Sequence, residues 1–282
     1  MKIISTASEF LAWRNSQRST LGFIPTLGAL HDGHFSLIKN AKKTCKLTVV
    51  SIFLNPTQFA PNEDLESYPN TLELDINSLK TLGVDVLFLP TKEEMYNTVE
   101  SVNVPTSKLF NKLEGISRPH FFYGVTTIVA KLFNVINPTH AFFGQKDAQQ
   151  LRIVQEMINS MNYSIKCIPC QTIRESNGLA LSSRNHYLTP KQQNDASIIY
   201  RGLMQIKALL DNKEKDPEKL KLYFQNYITT TPKLKLDYIS IACSKTLDEV
   251  QEITDKELLI SVAVFFYNVR LIDNFTYPSS DT

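Results

Sequence analysis

The sequence has few cysteines, almost no excess of charge and no long apolar segment, and each shortage removes a class of protein. The formal net charge is +2, from 30 basic and 28 acidic residues among 282. A balance this close gives no reason to expect nucleic acid or a membrane surface as a partner. No stretch reaches the length that spans a bilayer, and the N-terminus lacks an apolar signal region. We therefore expect a cytoplasmic protein.

Cysteine is the scarcest of the metal-binding and redox residues. Of the four cysteines, Cys167 and Cys170 form a C-x-x-C sequence. No second pair and no His-x-His sequence completes a zinc-ligand set. The run 164–170 has the composition of a strand, in which residues three apart face opposite ways. The pattern favours a structural role over a redox or metal role.

Three common catalytic signatures are also missing. The chain has no Ser/His/Asp order, no Walker loop and no G-x-G-x-x-G sequence, which disfavours a hydrolase, a P-loop enzyme and a dinucleotide-binding protein. Hydrophobic residues make up 43% and charged residues 21%, which are ordinary values for a globular protein. A chain of 282 residues exceeds the usual size of one domain, so we expect one large domain and a smaller one.

One segment combines a glycine-bearing turn with two histidines. The apolar run 21–24 predicts a strand, Gly28 marks a turn, and helical spacing resumes after His34. His31 and His34 therefore fall at a strand-to-helix junction. Unpaired N–H groups at a helix start favour phosphate oxygens, and histidine adds further donors. The pattern indicates a phosphate site, although two polar residues near a helix start would also account for it.

Apolar, β-branched runs alternate with segments of helical spacing, which is typical of a parallel α/β sheet. The predicted strands are residues 21–24, 47–54, 84–89 and 140–143. In such sheets ligands bind outside the carboxyl ends of the strands, so three strand exits should converge on one crevice. These exits are residues 25–34, 55–59 and 144–147.

The composition changes after Ile173, where a polar, glycine-broken loop over 174–185 predicts a hinge. We place a nucleotide-binding domain at 1–178 and a second domain at 179–282. A helix is predicted from Thr189, which can cap it, and strands are predicted at 234–241, 258–266 and 269–273. The second domain is therefore expected to be α+β.

Several polar side chains near the strand exits suit a phosphorylated or small polar substrate. Lys146 offers phosphate a point charge and Arg184 a planar fork, although a lone cation in a loop is often simply solvated. Asn55, Gln58 and Gln150 are amides that both donate and accept, which suits a small polar substrate. Each of the three would also serve as an ordinary loop or helix residue.

One carboxylate is a candidate for a magnesium site. Asp75 lies on a predicted helix over 71–82 that follows the turn Tyr68-Pro69-Asn70. Sites that hold Mg²⁺ beside a nucleotide use one or two carboxylates together with phosphates, so Asp75 could take part in one. The alternative is a solvated helix carboxylate.

Four segments of the chain form an ordered set. They are Pro25-Thr26-Leu27-Gly28-Ala29-Leu30-His31-Asp32-Gly33-His34, Asn55-Pro56-Thr57-Gln58-Phe59, Phe143-Gly144-Gln145-Lys146-Asp147-Ala148-Gln149-Gln150 and Gly178-Leu179-Ala180-Leu181-Ser182-Ser183-Arg184-Asn185. Together they closely resemble the pantoate–β-alanine ligase family, within the H-x-G-H nucleotidyltransferase-like superfamily. The resemblance covers essentially the whole chain. It implies a Rossmann-like N-terminal domain with a parallel sheet, a smaller C-terminal lid domain and a homodimer.

The resemblance also implies an ATP-dependent ligase that joins (R)-pantoate to β-alanine. Pantoate attacks the α-phosphate of ATP in the presence of Mg²⁺, giving pantoyl adenylate and pyrophosphate, and β-alanine then displaces AMP. His34 would be the proton donor and His31 its phosphate-binding companion, while Lys146 and Arg184 bear on the phosphates. The residues implied for pantoate and β-alanine are Gln58, Gln150, Asn55, Tyr68 and Arg118. Those implied for ATP are Leu27, Gly28, Ala29, Leu30, His31, Asp32, Gly33, His34, Gly144, Gln145, Lys146, Asp147, Ile173, Leu181, Ser182, Ser183 and Arg184.

Three positions depart from the pattern of the family. Leu27 stands where methionine is common, an apolar exchange of similar volume that should cost little. Gln145 replaces the usual glutamate and removes a charge next to the following lysine. Phe121 stands where the family has histidine, and His120 lies one residue away, an offset that redirects its side chain.

Two alternative functions keep the histidine turn. A related nucleotidyltransferase would move AMP or CMP onto a phosphorylated acceptor and would ignore pantoate. A nucleotide-binding module without catalysis would fit the departures at Gln145 and Phe121. The amide-lined second set of residues favours the ligase over such a module, because nucleotide binding alone does not require it.

Overall fold

A computed structural model describes residues 1–61, 63–96, 104, 106–254 and 256–278 of the chain. The chain divides into two compact units: Met1–Phe110, Arg118–Gln145 and Gln150–Gln171 form the first, and Asn111–Ser117, Lys146–Gln149 and Thr172–Thr282 form the second. The sequence places one division after residue 178, and it contains no sign of the two short segments that belong to the second unit. No helix in the described ranges is long and apolar enough to cross a membrane.

The described residues form ten α-helices. In chain order they are α1 (Ala7–Asn15), α2 (Asp32–Thr44), α3 (Leu72–Thr81), α4 (Lys92–Tyr96), α5 (Glu114–Ser117), α6 (Phe121–Ile136), α7 (Ala148–Ser160), α8 (Pro190–Ala196), α9 (Ile198–Asp211) and α10 (Pro217–Ile228). Thr6 caps α1, because its hydroxyl accepts the N–H of Glu9. Asp147 ends a 3-10 helix just before α7.

The first unit contains one six-stranded sheet in which all neighbouring strands are parallel. Its strands are β1 (Lys2–Ile4), β2 (Leu21–Thr26), β3 (Leu47–Ile52), β4 (Val86–Phe88), β5 (His140–Gly144) and β6 (Lys166–Cys170). The predicted parallel α/β sheet is confirmed. Strand β1, with three residues, is too short for hydrophobic periodicity to reveal it.

Both faces of this sheet are covered by helices. Phe23 of β2 and Val49 of β3 pack in one apolar cluster with residues of α1 and α6. Their neighbours Ile24 and Val50 face the other way and pack with residues of α2 and α3. Because successive residues of the central strands are buried on opposite faces, these strands are continuously apolar in the sequence.

The strand order is β1-β4-β3-β2-β5-β6, and it reverses at β2. From β2 the chain moves outward through β3 and β4, and it later returns to the other side of β2 to form β5 and β6. In open α/β sheets, ligands bind outside the carboxyl ends of the strands at such a reversal. The three predicted strand exits follow β2, β3 and β5, which are adjacent strands.

The second unit contains an antiparallel sheet in the order β7 (Leu234–Cys243), β8 (Leu258–Phe266) and β9 (Val269–Tyr277). Leu203 of α9 and Phe224 of α10 pack with the buried face of this sheet. Thr189 caps α8 in a box with Gln192, as the sequence predicts, but the helix ends at Ala196 and a new one follows. The expected α+β composition is confirmed.

Candidate active site

Two histidines cap helix α2 and close the turn that follows β2. The Nδ1 of His31 accepts the N–H of Gly33 at 3.1 Å, and the Nδ1 of His34 accepts the N–H of His31 at 3.4 Å. The two ring centroids are 4.2 Å apart. Because each Nδ1 is an acceptor, each neutral ring carries its N–H on Nε2. The helix start therefore combines backbone N–H groups with two imidazole donors, as phosphate binding requires.

The turn before these histidines has a backbone that ordinary residues avoid. Gly28 has φ of 91° and Ala29 has φ of 51°. Glycine adopts a positive φ easily. In alanine the same conformation is costly, because the Cβ crowds the carbonyl oxygen that follows it. A Cβ at position 28 would lie 3.2 Å from the Cγ2 of Ile52. A turn of this shape needs partners that hold it in place.

Asp75 supplies those partners. Its side chain is 3% exposed; Oδ2 accepts the N–H of Ala29 at 2.9 Å, and Oδ1 accepts the N–H of Leu30 at 3.0 Å and the hydroxyl of Thr71 at 3.1 Å. Both carboxylate oxygens are thus engaged by donors from the protein. Asp75 is therefore not the solvated helix carboxylate of the alternative interpretation, and its part in holding Mg²⁺ stays a prediction.

An amide cluster follows strand β3. Asn55 is fully buried, and its Nδ2 donates to the Oε1 of Gln58 at 2.9 Å and to the carbonyl of Gly124 at 3.1 Å. Its Oδ1 accepts from the hydroxyls of Tyr96 at 2.7 Å and Thr57 at 3.0 Å. All four hydrogen-bonding positions of Asn55 are therefore used inside the protein, and its contact with a substrate stays a prediction. No local pattern in the sequence marks Tyr96.

The Arg118 side chain is held by a carboxylate, a backbone carbonyl and an aromatic ring. Its guanidinium donates to the two Glu63 oxygens at 2.5 and 2.6 Å and to the carbonyl of Gln58 at 3.1 Å. The ring of Phe121 lies under it, with its centroid 3.9 Å from the guanidinium carbon. His120 is exposed. The aromatic departure at position 121 therefore stacks on Arg118, and His120 does not take its place.

The other candidates of the first unit lie on the same strand exits or on nearby loops. Gly144 ends β5, and a Cβ built there would meet nothing within 4 Å. Gln145 and Gln150 are half-buried, in the 3-10 helix after β5 and in the first turn of α7. Tyr68 is buried with its ring edge-to-face against Phe59, at 5.9 Å between centroids.

The remaining candidates belong to the second unit. The carbonyl of Lys146 accepts from the Nδ2 of Asn274 at 2.7 Å. The hydroxyl of Ser182 accepts the N–H of Arg184 at 3.3 Å and caps the 3-10 helix Ser183–Tyr187. Ile173 is tied to Leu181 through a backbone hydrogen bond of 3.0 Å, so these two predicted residues close one loop.

Sequence reasoning missed the buried charges of the second unit. Arg174 donates to both oxygens of Asp273, at 2.6 and 2.8 Å. Glu114 pairs with Arg270 and accepts the hydroxyl of Tyr238 at 2.9 Å. Burial raises the pKa of Tyr238, and the neighbouring carboxylate raises it further. These pairs join residues about a hundred or more positions apart, a separation that no local pattern spans.

The two cysteines of the C-x-x-C sequence are both free thiols. Burial raises the pKa of Cys167 to about 12, and the proximity of Cys170 adds to the effect. Burial also raises the pKa of Cys170, whose sulfur accepts from Asn40 at 3.5 Å. Thiols with raised pKa values stay protonated at neutral pH and are poor nucleophiles and poor metal ligands.

Comparison with known proteins places this site in a family. A family model described as pantoate-β-alanine ligase matches residues 2–276. A pantothenate synthetase of Thermosipho africanus is 46% identical over 257 residues, which are 91% of this chain and 92% of its own. The crystal structure of pantothenate synthetase from Thermus thermophilus has a TM-score of 0.92 and 36% identity, covering 98% of this chain and 99% of the other.

A further solved structure is that of the pantoate-β-alanine ligase from Francisella tularensis, complexed with β-γ ATP and β-alanine. It has a TM-score of 0.80 and 38% identity, and it covers 98% of this chain and 97% of its own. The family model and the identity to these relatives each extend over nearly the whole chain. The chain therefore belongs to the pantoate-β-alanine ligase family.

Proposed function

We propose that this chain condenses pantoate with β-alanine at the expense of ATP, through a pantoyl-adenylate intermediate. The observation that carries the proposal is the histidine turn, which places two imidazole rings and the start of α2 beside the reversal point of the sheet. Membership of the ligase family and the Francisella tularensis complex with β-γ ATP and β-alanine support the same reaction.

The chemistry explains why phosphate donors are needed. A carboxylate forms no amide at neutral pH until one of its oxygens is made a leaving group. In the first step a pantoate oxygen bonds to the α-phosphorus of ATP, and the bond from that phosphorus to pyrophosphate breaks. In the second step the β-alanine amine attacks the acyl carbon, AMP departs and the nitrogen loses a proton. Negative charge develops on phosphate oxygens, which fixed N–H donors stabilise.

We assign the residues of the first unit by their hydrogen-bonding polarity. His34 Nε2–H stabilises the charge that develops at the α-phosphate, and His31 Nε2–H binds a neighbouring phosphate oxygen. Gln58 and Gln150 bind pantoate. In the second unit we propose Lys146, together with the loop residues Ser182, Ser183 and Arg184, as phosphate-binding groups, because these loops carry the motifs that resemble the family.

The proposal includes Mg²⁺ and a homodimer, which the resemblance of the motifs implies, and a cytoplasmic location, which the sequence predicts. Since Asp75 uses both oxygens on backbone and hydroxyl donors, we write Mg²⁺ as part of the nucleotide substrate and assign it no ligand from the protein. Sedimentation of the purified protein tests the dimer, and the Mg²⁺ dependence of the rate at fixed ATP tests the cation.

The test of the reaction is isotope exchange. With pantoate and no β-alanine, we expect labelled pyrophosphate to exchange into ATP, and adding β-alanine should then release AMP and pantothenate. No pantoate-dependent exchange by folded protein would overturn the proposal. Pyrophosphate release with a phosphorylated acceptor, and indifference to pantoate, would instead identify a nucleotidyltransferase.

A further inference from the structure

Tyr96 belongs to the amide cluster but lies outside the four sequence motifs. We propose that Tyr96 is a positioning residue that acts through Asn55 to fix the side chain of Gln58, so that Gln58 presents an N–H donor to an oxygen of the acid substrate. This inference rests on the proposed function and sharpens it: the pocket at Gln58 selects the carboxylate or hydroxyl oxygens of pantoate and does not hold the ammonium group of β-alanine.

The first step is the polarity of Asn55. A backbone carbonyl can only accept a hydrogen bond, so the Asn55 atom that lies 3.1 Å from the carbonyl of Gly124 is the nitrogen. The position of that carbonyl is fixed, because α6 touches the 3-10 helix Pro56–Gln58 directly. A Cβ at Gly124 would lie 2.2 Å from the carbonyl oxygen of Thr57, so only glycine allows this approach.

The second step concerns Oδ1, the acceptor atom of the Asn55 side chain. The Oδ1 of Asn55 accepts the Tyr96 hydroxyl at 2.7 Å, the shortest hydrogen bond of Asn55, and the Thr57 hydroxyl at 3.0 Å. Burial raises the pKa of Tyr96, so its hydroxyl stays a donor throughout the neutral range. Two hydroxyl donors at one end and a carbonyl at the other give Asn55 a single orientation.

The third step shows that the orientation of Asn55 fixes which side-chain atom of Gln58 faces it. The second N–H of Asn55 meets the Gln58 side chain at 2.9 Å, and an N–H donor requires an oxygen there. The backbone of Gln58 is also fixed, since its N–H donates to the carbonyl of Asn55 at 3.2 Å and its carbonyl accepts from Arg118 at 3.1 Å. With Oε1 committed, Nε2 is the end left for a ligand, and within the described residues it makes no hydrogen bond.

The consequence is a choice between oxygen acceptors and the ammonium group. An amide nitrogen donates and has no lone pair to offer, so it binds oxygen acceptors and repels an ammonium group. Pantoate offers only oxygen atoms as polar groups, whereas β-alanine offers an ammonium group at its reacting end and a carboxylate at the other, so the donor excludes the ammonium end of β-alanine. A glutamine that was free to flip would bind either group, and the fixed one discriminates between them.

The experiment uses the full chain and initial rates at varied pantoate, ATP and β-alanine. Tyr96→Phe removes the hydroxyl and keeps the ring. The matched control is Tyr163→Phe, because the Tyr163 hydroxyl also donates to an asparagine Oδ1, that of Asn134 at 3.2 Å, away from this cluster. We expect Tyr96→Phe to raise the KM for pantoate roughly three- to tenfold, with the KM values for ATP and β-alanine unchanged, and the control to change none of them.

Gln58→Glu and the double variant test the route of the effect. Gln58→Glu keeps an oxygen for Asn55 and replaces the donor by a charged acceptor, so we expect the KM for pantoate to rise more than in Tyr96→Phe and the KM for β-alanine to stay within twofold. In the Gln58→Glu background, Tyr96→Phe should add nothing, because the N–H donor that Tyr96 would position is already absent.

Other outcomes overturn the inference. Multiplying effects in the double variant, a parallel rise in the KM for ATP, or no rise in the KM for pantoate would each show that Tyr96 does not act through Gln58. A wild-type chain that forms no pantothenate would refute the proposed function itself, whereas an active wild type with an unaffected Tyr96→Phe variant refutes only the relay.

Discussion

Replacing Asp75 by asparagine tests whether this carboxylate holds the histidine turn or serves a metal. The two side chains have nearly the same shape, but asparagine has one oxygen instead of two. In the wild type, one oxygen accepts the N–H of Ala29 at 2.9 Å and the other accepts the N–H of Leu30 at 3.0 Å. In either orientation of the new amide, its NH₂ group faces one of these backbone N–H donors.

The magnitude follows from this mismatch. A hydrogen bond to a charged group is worth about 1.5–3 kcal/mol, and an orphaned buried donor costs about 1–3 kcal/mol. The site is 3% exposed, which leaves little room for water to replace the lost acceptor. Ala29 is also held at φ of 51°, so the turn relaxes when its anchor weakens. We expect a loss of about 3 kcal/mol, or roughly 6–12 °C in the melting temperature of a chain this size.

The assay combines thermal unfolding with steady-state kinetics. We expect kcat/KM for ATP to fall by up to roughly hundredfold in Asp75→Asn, because each 1.36 kcal/mol corresponds to a factor of ten. Glu73→Gln, an exposed carboxylate on the same helix, is the matched control and should change neither quantity. A variant of wild-type stability that merely needs more Mg²⁺ would refute this reasoning and restore Asp75 as a magnesium ligand.

Three further predictions concern other parts of the chain. His34→Ala should lower the rate of pyrophosphate exchange far more than it weakens ATP binding, measured by equilibrium titration, since stabilisation of developing charge acts in the transition state; equal losses would mean that His34 only binds. Gly124→Ala should unfold at a temperature several degrees lower, because its Cβ would lie 2.2 Å from a carbonyl oxygen, whereas Gly144→Ala, with nothing within 4 Å, should not. Iodoacetamide at pH 8 should modify Cys243 before Cys167. Backbone N–H groups lower the pKa of Cys243, whereas the pKa of Cys167, about 12, leaves roughly one thiolate in ten thousand. Mass spectrometry that shows the reverse order of modification would contradict the burial argument.

The sheet of the first unit could be predicted because burial on both faces leaves a strong local signal. Strands β2 and β3 are buried runs rich in apolar and β-branched residues, and each is followed by a turn residue and a helix. Strand β1 leaves no such signal, since three residues carry no measurable period, and its place beside β4 is decided by pairing with a strand more than eighty residues away. Strand order depends on these long-range pairings, which the local pattern does not contain.

Some parts of the candidate site could likewise be predicted from the local sequence, and others could not. The histidine turn could be predicted because its chemistry and its position at a strand exit are both local properties of the sequence. The roles of Asp75 and Asn55 could not, because each depends on what lies across the fold. Asp75 meets backbone N–H groups more than forty residues away, and Asn55 meets Gly124 and Tyr96. A side chain that can donate, accept or bind a metal takes its role from its partners.

The histidine pair shows how a helix cap and a proposed catalytic group can coincide. A serine with a glutamate three residues later would close the start of α2 with the same two backbone hydrogen bonds. Such a box would present no donor to a phosphate, since the glutamate is an acceptor. In His31 and His34 the nitrogen that caps the helix forces the proton onto the other nitrogen, so the hydrogen bonds that stabilise the fold also set the tautomer that the chemistry needs. It follows that replacing both histidines by a conventional capping box would keep the helix and abolish adenylate formation.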